Sequence, residues 1–274
     1  MPRFFVQKRC FMGTSVTIEK PDSVHIGRSL RMRIGDEIIA CCEGVEYNCK
    51  IESISDECVV CDIISQGPSE SEPDIKVTLF QALPKGDKFD TIVQKATELG
   101  VTQVCPVLTS RCVARADKKS FEKKRERLNR IALEAAKQSG RGIVPQVTEL
   151  LTLDEAAEQL AQNDFPLICY ERGGKNLAQV GLKSNSTVGI FIGSEGGFEQ
   201  SEVELCTAKG AVAIGLGKRI LRCETAGARA AVFCDGIRPA VPTEVRLAWR
   251  DYYQVNLRNS AGIPARPGII RSDP

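Results

Sequence analysis

Up to about residue 67 the apolar positions fall in short runs of strand length, RMRIGDEIIACC, YNCKIESIS and ECVVCDIIS, parted by Gly-Asp, Glu-Gly and Ser-Asp pairs. Alternating runs between turn residues predict a small β-barrel over residues 1–70. The next stretch, GPSESEP at 67–73, is polar, carries two prolines and has no apolar period, so it is expected to be a linker. From Ile75 the pattern changes. Strand-like IKVTLFQAL, VTQVCPVLT, PLICYE, TVGIFIG and AVAIGLG alternate with helical DKFDTIVQKATELG, a long helix near 118–138 and EQSEVELCTAKG. Such alternation predicts an α/β domain, residues 74–237, built on a mostly parallel sheet. Phe121, Leu128, Ile131, Ala132 and Ala135 recur at helical spacing, which leaves the lysines and arginines of the long helix on its open side. In the remaining stretch, 238–274, Val245, Trp249, Tyr252 and Val255 are spaced for a short amphipathic helix.

Two strands end in glycine-rich loops. FIGSEGGFEQSE (191–202) and AIGLGKRILRCETAGARAA (213–231) each run from an apolar strand into glycines and then into a helix. Glycine tolerates positive φ and close approach of another group. Loops at the carboxyl ends of successive parallel strands are expected to share one pocket. GSEGGF lacks the G-x-G-x-x-G spacing, and in GLGKR an arginine follows the lysine where a phosphate loop needs Ser or Thr. A dinucleotide enzyme and an NTPase are therefore not expected. The same stretch holds a helix start, with Glu199, Glu202 and Glu204 near the positive end of the helix dipole.

Composition narrows the class. The 274 residues are 42% hydrophobic and 26% charged, with no apolar run long enough for a signal peptide or membrane span, so a cytoplasmic, membrane-free protein is expected. Twelve irregularly spaced cysteines read as reduced and buried. Cys58 and Cys61 lie three apart in a strand and so point to opposite faces, which argues against a shared metal, and no metal is expected. The single histidine, His25, offers little to a hydrolase triad. Net charge is only +2, but it is unevenly spread: residues 1–35 carry seven basic and two acidic side chains, and 111–141 carry eleven against four. Such fields attract phosphates. Arg3, Arg31, Arg111, Lys123, Lys124 and Arg127 are the candidate RNA contacts. Solvated helix faces carrying i,i+4 pairs would give the same pattern.

GSEGGFEQSEVEL and LGKRILRCETA, with KATELGV (95–101), EAAKQSGR (134–141), the N-terminal RFFV and the H-x-x-x-S-L-R-x-x-x-G-D run from His25, resemble the motif set of the ribosomal RNA small subunit methyltransferase E family. That family belongs to the SPOUT methyltransferases, and the resemblance covers roughly residues 3–235. It implies a PUA-like β-barrel that binds RNA, joined to a SPOUT-type α/β domain with a deep C-terminal trefoil knot. It also implies a homodimer, 16S rRNA of the small subunit as partner, and S-adenosyl-L-methionine as cofactor. The cofactor would lie among Gly193, Gly196, Gly197, Leu216, Gly217, Ile220, Leu221, Thr225 and Ala226, and the methyl acceptor would be N3 of a uridine. Arg141 and Arg222 are candidates to stabilise charge on the base, and Glu195 is a candidate proton acceptor. A ribose 2′-O-methyltransferase and a non-catalytic RNA-binding protein are the alternatives. Two features depart from the family. Ser194 stands where proline is usual, which predicts a looser loop, and the stretch after Asp235 matches no motif.

Overall fold

A computed structural model describes residues 1–114, 116–235, 244–247 and 268–271. The first unit, residues 1–237, begins with a curled six-stranded sheet. Its strands are β1 (Arg3–Phe5), β2 (Phe11–Met12), β3 (Ser15–Glu19), β4 (Glu37–Cys42), β5 (Val45–Ile54) and β6 (Cys58–Pro68), in the order β1-β4-β5-β6-β3-β2. A helical turn, α1 (Asp22–Val24), follows β3. Phe4, Val16, Ile18, Ile26, Ile38, Ile51 and Val59 fill the inside of the curl. Strand alternation decides the fate of the cysteine pair: Val59 and Cys61 are buried, whereas Cys58 faces the other side of β6.

The α/β part follows the alternating pattern closely. Strands β7 (Lys76–Ala82), β8 (Gln103–Leu108), β9 (Gln146–Val147), β10 (Leu151–Thr152), β11 (Phe165–Cys169), β12 (Lys175–Asn176), β13 (Thr187–Ile192) and β14 (Val212–Gly215) form one parallel sheet. Its order is β10-β8-β7-β13-β11-β14-β12, with β9 also paired to β8. Residues of the central strands alternate between two cores. Leu79 and Ile190 face α2 (Lys88–Glu98), α3 (Lys118–Ser139) and α6 (Cys223–Asp235), while Phe80 and Phe191 face α4 (Leu153–Leu160) and α5 (Gln200–Ala208). Helix α6 follows β14, yet it packs over β7 and β13 and beside α2, so the chain returns across β11 to reach it.

Helix α3 shows why the sequence pattern was reliable there. Asp117 accepts the Ser120 N–H at 2.6 Å at its start, and Gly140 ends it at φ 75°. Phe121, Leu128, Ala132 and Ala135 are its buried stripe.

The expected linker is not a free tether. Gly67 and Pro68 belong to β6. Ser69 is buried and its hydroxyl donates to the Glu46 carboxylate, the Ser71 hydroxyl donates to Gly140 O at 2.8 Å, and Glu72 pairs with Arg141. Lys137 reaches Asp22 at 3.0 Å from the same end of α3. Ser69, Ser71 and Glu72 are polar because they satisfy the seam between barrel and α/β sheet.

In the second unit, residues 238–274, β15 (Glu244–Leu247) and β16 (Gly268–Arg271) pair antiparallel. Val245 therefore sits in a strand, which corrects the helix expected there. Trp249, Tyr252 and Val255 lie outside the described residues.

Candidate functional site

The two glycine loops do meet. They enclose a cavity of about 490 Å³ at the carboxyl ends of the neighbouring strands β13, β11 and β14. This is where open parallel sheets place ligands, and the size suits a small molecule. Gly193, Gly196, Gly197, Leu216, Gly217, Ile220, Leu221 and Ala226 all line it, as does Glu195. Thr225 does not; it is exposed on the first turn of α6, where its N–H donates to Arg222 O at 2.9 Å. The Ile220 side chain is 86% exposed, so this residue forms the rim.

The glycines answer different needs. Gly197 and Gly217 have φ values of 68° and 122°, which disfavour other residues. Gly193 abuts the backbone of Gly197, at 3.0 Å from where a Cβ would stand. Gly196 is not in the left-handed region; a Cβ there would instead meet Cβ of Arg111 at 3.1 Å. At Gly215 a Cβ would meet no atom within 4 Å, so that strand end faces open space.

A third segment closes the cavity and gave no sequence signal as a site. Residues 170–174 follow β11 and contribute Tyr170, Glu171, Gly173 and Gly174 to the wall. Gly174 has φ 138° and lies so close to β14 that a Cβ would stand 2.6 Å from Ala213 O.

Four residues hold the first glycine loop from outside the cavity lining. Gln81, buried in β7, donates through Nε2 to Gly193 O at 3.2 Å, and its Oε1 has no hydrogen-bond partner among the described residues. Lys88 pairs with Glu195 at 2.6 Å, and the Lys85 N–H donates to the same carboxylate at 3.1 Å. Arg111 donates to Gly196 O at 2.9 Å. A polar residue inside the apolar run IKVTLFQAL is the signal that could have found Gln81.

The ionisable groups have clear environments. Partial burial raises the Glu195 carboxyl, but the hydrogen bonds from Lys88 and Lys85 outweigh it and leave the group below the usual carboxylate range. A carboxylate so stabilised is a weak base, which disfavours Glu195 as proton acceptor. Burial, and then the neighbouring Glu224 carboxylate, push the Cys223 thiol up to about 12, which disfavours the thiolate form that a nucleophile needs.

Several expected site residues lie elsewhere. Arg141 is 2% exposed and does not line the cavity. Its guanidinium is taken up by Glu72 at 2.5 Å, Thr97 O at 3.0 Å and Val101 O at 2.6 Å, so it cannot project toward a substrate. Arg3 is also turned inward, to Glu46 at 2.7 Å and Arg141 O at 3.3 Å. Both arginines serve the seam because a partly buried carboxylate faces each of them. Arg222 is exposed just before α6 and stands next to the lining residues Leu221 and Cys223. Arg31 and Lys123 are exposed, Lys124 lies 5.9 Å from the Phe89 ring centre, and Arg127 is paired with Asp90 at 2.7 Å. Ser194 does not leave its loop free: its hydroxyl donates to Arg111 O at 3.2 Å.

Comparison with known proteins agrees with this architecture. The RNA methyltransferase PUA domain model matches residues 18–64, and the RNA methyltransferase domain model matches residues 70–233. Ribosomal RNA small subunit methyltransferase E of Bacillus subtilis (strain 168) is 36% identical over 237 residues, covering 82% of this chain and 93% of that relative. The protein of the same name from Synechocystis sp. is 31% identical over 229 residues, covering 82% of this chain and 74% of the relative. Among solved structures, ribosomal RNA small subunit methyltransferase E from Neisseria gonorrhoeae bound to S-adenosyl methionine aligns with a TM-score of 0.72 at 28% identity, covering 85% and 96% of the two chains.

Proposed function

Because this chain belongs to the ribosomal RNA small subunit methyltransferase E family, we propose that it transfers a methyl group from S-adenosyl-L-methionine to N3 of a uridine in 16S rRNA. The observation that carries this reading is the cavity where the two glycine loops meet at the ends of β13 and β14. Its wall suits the cofactor. Ile192, Ile214, Leu216 and Leu221 offer apolar surface for a purine, glycine backbone offers donors and acceptors at close approach, and Glu171 offers a carboxylate for an ammonium.

When bound, the cofactor supplies a methyl group on a positively charged sulfonium, and the protein need only align an acceptor and let its proton leave. Lys218, Arg219 and Arg222 stand at or beside the mouth of the cavity. In this reading Arg222 favours the deprotonated imide of the base, as fixed donors favour developing negative charge elsewhere. Glu195, held by Lys85 and Lys88, shapes the loop and takes no proton. The barrel, residues 1–70, and the open face of α3 engage RNA, with Arg31, Lys123 and Lys124 as contacts. We infer further that the return of the chain from β14 to α6 is the knot crossing and that two copies pack as a homodimer.

Purified protein, tritiated cofactor and small ribosomal subunits lacking the modification test the reading. Incorporation of label into 16S rRNA is expected; cofactor binding without any transfer to RNA would support a non-catalytic RNA-binding protein instead.

A further inference from the structure

Arg111 is absent from the cavity wall, yet the partners of its side chain belong to the loop that makes that wall. Its NH1 donates to Gly196 O at 2.9 Å, and its Nε lies 3.5 Å from Glu199 Oε1. The main chain adds two ties. Arg111 O accepts from the Ser194 hydroxyl at 3.2 Å, and Ser110 N–H donates to Glu202 Oε1 at 2.8 Å. Glu202 is only 4% exposed, and its other oxygen accepts the Glu199 N–H at 2.8 Å, so one carboxylate fastens both the start of α5 and the turn after β8. The fit is close at Gly196 as well, where any side chain would press on Cβ of Arg111.

We propose that Arg111 is a positioning residue for methyl transfer, which holds the 193–199 loop in its cofactor-receiving shape and does not contact RNA. The proposal rests on the reading that the cofactor occupies this cavity. A planar guanidinium can grip a carbonyl and a carboxylate from one fixed fork, whereas a lysine is a single point charge. Fixing the peptide planes of a glycine loop in advance removes an ordering cost that binding would otherwise bear. Glycine loops bear that cost most heavily, since glycine has the greatest freedom to lose.

The test compares Arg111→Met, Arg111→Lys and Ser194→Ala with the wild type. Loss of one charged hydrogen bond predicts a cofactor Kd about tenfold higher for Arg111→Met, with Arg111→Lys between it and the wild type. Ser194→Ala removes a neutral tether without changing charge and predicts a rise of about threefold. The KM for cofactor should rise while kcat at saturating cofactor is retained, and the salt slope of RNA binding should not move. In the ligand-free proteins, hydrogen exchange at residues 195–198 should be faster in Arg111→Met. Wild-type loop exchange in Arg111→Met would overturn the proposal, as would unchanged cofactor affinity. A salt slope reduced by about one with unchanged cofactor affinity would identify a phosphate contact instead. If the wild type itself fails to bind the cofactor, the cavity reading falls, and the exchange comparison alone still decides whether Arg111 orders the loop.

Discussion

Arg141→Ala should cost stability and leave the chemistry of the folded enzyme intact. The wild-type guanidinium is 2% exposed and satisfies both oxygens of Glu72 together with the carbonyls of Thr97 and Val101. Truncation leaves those carbonyls without this donor. It also leaves a mostly buried carboxylate with, among the described residues, the N–H groups of Gly142 and Ile143 at 2.8 and 3.1 Å. Removing one partner of a buried ion pair costs about 3–5 kcal/mol. At about 2–4 °C per kcal/mol for a domain of this size, Tm should fall by roughly 6–20 °C. Thermal unfolding followed by circular dichroism measures the loss, and methyl transfer per folded molecule, assayed well below the transition, should remain near wild type. Replacing both partners, Arg141→Met with Glu72→Leu, should restore much of the stability, because the desolvated charge is then gone. An Arg141→Ala protein that melts with the wild type and has lost turnover would refute this reasoning and return Arg141 to the reaction.

Three further outcomes are expected. Gly215→Val should abolish cofactor binding in calorimetry with little change in Tm, since its side chain would enter open space at the strand end; wild-type affinity would remove that strand end from the site. Reversing Lys119, Lys123 and Arg130, for which no ion pair is found among the described residues, should lower the salt slope of RNA binding by about one for each phosphate no longer neutralised, and an unchanged slope would make α3 a merely solvated face. Glu155 caps α4 and is held at about 2 first by Lys118 and then by the Thr152 N–H. Its folded value lies below the ordinary carboxylate value of about 4.3, so its stabilisation is whole above that pH and is lost as pH falls toward about 2. Glu155→Gln should therefore lose less stability across that window in urea titrations, and equal acid sensitivity would contradict the assignment.

Local patterning carried most of the fold, because strand alternation and helical spacing are properties of neighbouring residues. Helix α3 was legible from its apolar stripe, and β7, β8, β11, β13 and β14 from their apolar runs. The glycine loops were legible as one pocket because successive strands of a parallel sheet deliver their ends to the same edge. Long-range partners were not legible. Arg3 read as an RNA contact and Arg141 as a group beside the methylated base, yet each is paired with an acid far along the chain, Glu46 and Glu72. The same pairing turned an apparent linker into a fixed seam. Helix α4 went unread although Thr152 and Glu155 form a capping box at its start, a signal as local as any that was used. A serine at 194 reads as the loss of the rigidity a proline would add, whereas its hydroxyl makes a tie to Arg111 O that proline could not make.

The position of the methyl group on the RNA decides the proposed activity. Small ribosomal subunits lacking the modification, treated with this enzyme and S-adenosyl-L-methionine, would be digested to nucleosides and resolved by mass spectrometry against standards. One new methyl group per 16S rRNA is expected, on N3 of uridine, and none when Gly215→Val replaces the wild type. A methyl on the ribose 2′ oxygen, or on another base, would contradict the proposed activity.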